Sequence, residues 1–166
     1  MKRFLAVLCA LVLALSLTVS ALAEAADTVA SASVMDYYGD FAITGDDLMN
    51  ALNSYSGTYL ISTVNADGTP HCGYFIYGCV KHDDKYYLQF GLAENQTREN
   101  LIATGKCVAV YAANPDLEAE DAKPYAMSGA RMWGELVTDE ALLAELNTTG
   151  SDTVLFFEIV AVRSLG

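Results

Sequence analysis

From Gly57 onward, β-branched and aromatic residues recur at period two in runs of five to thirteen, set off by polar turns and short helices, which points away from a helical bundle. Tyr59 to Val64 is the first run. Asn65-Ala66-Asp67-Gly68 supplies a turn, and His71 to Val80 reads as the second strand of a hairpin. Lys81-His82-Asp83-Asp84 turns the chain again into Tyr86 to Phe90. Cys107 to Ala112, Tyr125 to Val137 and Thr153 to Arg163 bring the count to six strands. Gly129 and Gly134 interrupt the fifth where bulges or bends would sit, and Phe156 and Phe157 must face opposite sides of the sixth.

Short helices punctuate these strands. The hydroxyl of Thr44, ahead of Asp46, Asp47, Leu48 and Leu52, can cap free N–H groups of an amphipathic helix running to about Asn53. Thr97-Arg98-Glu99-Asn100 opens a helix of one to two turns that Gly105 stops. Thr138-Asp139-Glu140 caps another, carrying Leu142, Leu143 and Leu146. Apolar residues on both strand faces, with no strand-helix-strand repeat, predict a mainly β domain: a small antiparallel barrel.

The first residues read differently. Lys2 and Arg3 precede an apolar stretch from Leu5 to Val19, and Ala21-Leu22-Ala23 follows as a cleavage site, the three parts of a secretory signal peptide. Residues 1–23 are therefore expected to direct export, making the protein secreted or extracytoplasmic, with retention as an anchor the competing reading. Residues 24–34, rich in Ala, Ser and Thr, read as a flexible leader and 35–166 as the domain. Cleavage would take the formal net charge from −12 to −14 and leave Cys72, Cys79 and Cys107. Such a charge repels a phosphate backbone, so no nucleic acid is expected as partner, nor any membrane beyond the signal segment.

Chemistry is sparse. Asn114 to Lys123 is acidic but lacks the alternation and glycine of a calcium loop, so it reads as a solvated turn. Cys72 and Cys79, on one strand, would point to opposite faces, and with His71, His82 and Cys107 they lack the close spacing of a zinc site. No metal site is assigned, and no nucleophile–base arrangement is legible, so the catalytic residues are unknown.

Leu60 to His71, with its Asp67-Gly68-Thr69-Pro70-His71 turn, the apolar strand after it, the hairpin to Tyr86-Tyr87-Leu88, and Thr97-Arg98-Glu99-Asn100-Leu101 before Val108-Ala109-Val110 together resemble the pyridoxamine 5'-phosphate oxidase-like, FMN-binding split barrel family. Arg131 to Val137 is similar to a later strand of that family. The resemblance implies a six-stranded antiparallel split β-barrel forming a homodimer, with a flavin site at the interface built from both chains. FMN is the implied cofactor; haem or the deazaflavin F420 replaces it in some members. The implied activity is a flavin-dependent oxidoreductase on a small-molecule substrate; a non-enzymatic flavin or haem binder and a ligand-free structural dimer are the alternatives.

By the same resemblance, the cofactor phosphate falls at Asn95, Gln96, Thr97 and Arg98, where helix N–H groups, a hydroxyl and a guanidinium can donate to an anion. Asn95, Gln96 and Thr97 stand where the family commonly has a Ser-Arg-Lys run. The ring is implied to lie along the backbone at Tyr74, Phe75 and Ile76 and at Phe90 and Gly91, with Trp133 stacking at the interface. His71 is read as a strand-opening residue and not as a ligand.

Overall fold

The computed structural model describes residues 42–114 and 128–165. The expected signal segment, the leader, most of the acidic turn and the start of the expected fifth strand lie outside them. The elements run α1 (Gly45–Asn53), β1 (Thr58–Val64), β2 (Pro70–Tyr74), β3 (Gly78–His82), β4 (Lys85–Gly91), α2 (Gln96–Thr104), β5 (Lys106–Ala112), β6 (Gly129–Leu136), α3 (Glu140–Leu146) and β7 (Val154–Arg163). The fold is mainly β, as expected, but it has seven strands and not six.

The seventh arises because the apolar run His71 to Val80 is two strands. β2 pairs with β1 and β3 pairs with β4, and the sheet order is β2-β1-β5-β6-β7-β4-β3, antiparallel at every pairing. Phe75, Ile76 and Tyr77 therefore carry the chain from one edge of the sheet to the other. Four Cα steps reach at most about 15 Å, whereas six strand spacings in a flat sheet span about 29 Å. The sheet must curl until its edges nearly meet, which is a barrel left open between β2 and β3.

Tyr77, inside that crossing, helps hold the barrel in shape. Its ring packs edge-on against Tyr59 and Phe90, both at 5.2 Å between centroids, and its hydroxyl donates to the Val110 carbonyl at 2.8 Å. Tyr111 and Phe157 extend this aromatic chain at either end. Leu48 and Leu52 of α1 and Leu101 of α2 join the same interior core. On the outer face, Leu146 of α3 covers Tyr87 and Phe156. Phe156 and Phe157 thus do face opposite sides. The irregularity in β6 falls between Trp133 and Gly134, where a Cβ on Gly134 would sit 2.9 Å from the Cys107 sulfur.

Helix starts differ in part from expectation. Thr44 occupies the N-cap of α1, but its side chain makes no capping bond. α2 is capped by Asn95, whose side chain accepts from the Arg98 N–H at 3.0 Å, so Thr97 lies within its first turn. Gly105 closes α2 with a left-handed φ of 65°, and Asp139 caps α3 as expected.

Candidate functional site

The expected phosphate-binding residues converge on the start of α2, and their side chains are already committed there. Thr97 is 1% exposed and its Oγ1 lies 2.9 Å from His71 Nε2. Gln96 donates to Asn100, and Asn100 donates in turn to Thr63 Oγ1 at 3.0 Å and Asn65 Oδ1 at 2.9 Å. This buried network ties α2 to β1 and β2, and Gly73 makes room for it: a Cβ there would lie 3.3 Å from Thr97 Oγ1. Buried polar groups so satisfied specify how a helix seats.

Arg98 is spent in the same way. Its guanidinium donates to the main-chain carbonyls of Leu92 at 3.3 Å, Thr153 at 2.8 Å and Asp152 at 2.9 Å, fastening the end of β4 to the loop before β7. The hollow beside it is lined by Asn95 and Ile102 and by two carboxylates, Glu94 and Glu99, which oppose an anion. As side chains, Asn95, Gln96, Thr97 and Arg98 fit a structural role better than a phosphate cradle.

The expected ring contacts are dispersed. Tyr74 and Ile76 are exposed, Phe75 packs against the interior core, and Phe90 is 1% exposed within it, so Phe90 could offer a ligand only main chain. Gly91 is exposed on the outer face, beside Val154. Trp133 also lies on the outer face, in one transverse row with Val108, Ser62 and Cys72. From β2 to β6 is three strand spacings, about 14 Å, so within one chain Trp133 stands apart from Tyr74.

That outer face of β1, β5 and β6 is open and largely apolar. A groove of about 370 Å³ runs along it, lined by Ser62, Val64, Lys106, Val108 and Trp133 among others. Lys106 pairs with Glu135 at 3.6 Å at one end. The next row along holds Tyr74, Leu60, Val110, Arg131 and Arg163. Arg131 lies over the Trp133 ring, with its guanidinium carbon 5.8 Å from the centroid, and its Nε donates to the Ser164 carbonyl. The sequence reading missed Arg131; its signal was only an arginine two residues from the sole tryptophan on a strand, hence on one face. A smaller apolar hollow of about 250 Å³ sits between α1 and β7 above Cys79.

The cysteines do not form a metal site. Cys72 on β2 is exposed, whereas Cys79 on β3 and Cys107 on β5 are buried, so the expectation of Cys72 and Cys79 on one strand fails with the strand itself. Burial pushes both interior thiols up to about 12. No cluster of three or more ligating side chains occurs among the described residues.

No family model matches the chain, and no curated protein matches it in sequence. Among solved structures, it is similar to an FMN-binding protein from Syntrophomonas wolfei subsp. wolfei, at 15% identity and a TM-score of 0.50, over 73% of this chain and 85% of that one. HupZ from Group A Streptococcus aligns at 19% identity and a TM-score of 0.48, over 74% and 94%. HutZ, a heme storage protein from Vibrio cholerae, aligns at 13% and 0.44, over 69% and 90%. The first of these likenesses shows the fold: the chain is a split β-barrel, the architecture of that FMN-binding protein.

Proposed function

We propose that this protein binds FMN or a related flavin on the outer face of β1, β5 and β6, at the interface of a homodimer. The observation that carries this reading is the open groove beside Trp133: an apolar floor with Lys106 at one end, on which a flavin ring can lie. The FMN-binding protein from Syntrophomonas wolfei of the same fold supports it. A second copy would cover Val64 and Trp133 and bring Tyr74 of one chain toward the groove of the other, which a single chain cannot do.

When bound, a flavin would supply hydride transfer, making the protein an oxidoreductase on a small molecule; the chain itself would bind, orient and exclude water. Haem is the weaker reading because His71 Nε2 is engaged by Thr97. Export through residues 1–23 is part of the proposal. The test is an absorbance titration of the purified protein with FMN and, separately, haem, with sedimentation in parallel. Saturable perturbation of the flavin spectrum by a dimer upholds the reading. A Soret shift without a flavin response would turn it to a haem binder, and silence with both to a ligand-free dimer.

A further inference from the structure

Arg131 is out of place for a residue with only structural duties. The chain carries a net charge of −12, and all three lysines among the described residues have carboxylate partners: Lys81 with Asp46, Lys85 with Glu158 and Lys106 with Glu135. Arg98 spends three of its five N–H donors on main-chain carbonyls. Arg131 has no carboxylate within ion-pair distance among the described residues. It stands directly opposite Arg163 across the β6–β7 pairing, and like charges in that relation repel. Arg163 Nη1 donates to Val162 O at 2.9 Å.

The geometry of Arg131 is preset for an anion. Its Nε is held by Ser164 O, and its guanidinium lies over Trp133, which fixes the plane of the fork. Neither Nη group has an acceptor among the described residues. A planar guanidinium so held offers two parallel N–H donors to a phosphate or carboxylate.

We propose that Arg131 binds the anionic end of a planar aromatic ligand that lies across Val108 and Trp133. This rests on reading the outer groove as the ligand face, and it places the phosphate of a flavin at β6 instead of at Asn95 to Arg98. The recognised chemistry is a dianionic phosphate or a carboxylate joined to an extended ring.

Riboflavin, which has the ring of FMN without its phosphate, separates ring from anion. Dissociation constants for FMN and riboflavin are measured at one fixed ionic strength on the full chain, Arg131→Lys and Arg131→Ala, with circular dichroism melts of each. The wild type is expected to prefer FMN by about 10- to 100-fold, the range for a charge-assisted hydrogen-bonded pair. Arg131→Ala is expected to abolish that preference while riboflavin affinity stays within about 2-fold, and Arg131→Lys to keep part of it. An undiminished preference in Arg131→Ala overturns the inference and leaves flavin binding standing. If the wild type binds no flavin, the flavin reading falls, and hemin becomes the probe: weakening by Arg131→Ala or, should that variant not fold, by Arg131→Lys upholds the anion site. Hemin binding indifferent to Arg131, or no binding at all, overturns it.

Discussion

Over β4 and β7 the outer face of the sheet lies under α3, where Leu146 packs with Tyr87 and Phe156 and is flanked by Val80, Leu142 and Leu143. Over β1, β5 and β6 the same face carries side chains as large, Trp133 and Arg131 among them, yet it holds an open groove that α2 borders only with its last residue, Thr104. A sheet apolar on both faces needs two covers. One half of the outer face has its cover within the chain; the other presents a groove, and large partly open apolar surface is where partners and ligands bind.

The contrast can be broken experimentally. Phe157, fully buried against Phe90 at 5.3 Å, belongs to the interior core beneath both halves. Phe157→Ala should cost about 3–5 kcal/mol in urea unfolding, and it sets the scale for a residue that the single chain itself completes. Leu146→Ala, under the covered half, should cost about 2–4 kcal/mol; a negligible loss would mean that α3 is no real cover and the two halves are alike.

Alkaline unfolding sharpens the distinction between inside and outside. The thiols of Cys79 and Cys107 titrate at about 12 in the fold against an ordinary 9.0, because burial disfavours the thiolate. A raised folded value means that the stabilisation is complete below pH 9 and is lost as pH climbs toward 12, by up to about 1.4 kcal/mol per pH unit per thiol. Buried Tyr59, Tyr77 and Tyr111, also raised, push in the same direction. Stability measured against pH should fall through that window, and a flat profile would contradict the burial of these groups.

The smallest effect is expected on the bare half. Trp133→Ala should change the stability of the isolated chain by no more than about 1 kcal/mol while weakening self-association in sedimentation equilibrium. Destabilisation as large as that of Leu146→Ala, with association unchanged, would show Trp133 to be an ordinary core residue.

Local chemistry made much of this legible. The Asn65–Gly68 turn, the hairpin at Lys81 to Asp84, the stop at Gly105 and the cap at Asp139 follow from residues within four positions of each other. The break at Phe75 to Tyr77 did not, because a crossing made in extended backbone keeps the apolar character of a strand, and only its partners reveal it. Asn95 and Thr97 can both cap a helix; Thr97 lost that role because it is buried against His71. Arg98 resembled an anion donor because the carbonyls that engage it come from Leu92, Asp152 and Thr153, the last two more than fifty residues away.

By itself, then, the sequence determined the class, the alternation and the turns, since a strand's two faces and a turn's left-handed residue are set by the local chain. Only the tertiary structure decided that the sheet curls with β2 and β3 at its two edges, that the expected phosphate donors are consumed in holding α2 and β4, and that Arg131 and Arg163 stand side by side. Those outcomes depend on which strands pair, and pairing is fixed by packing across the whole barrel, not by any short stretch of it.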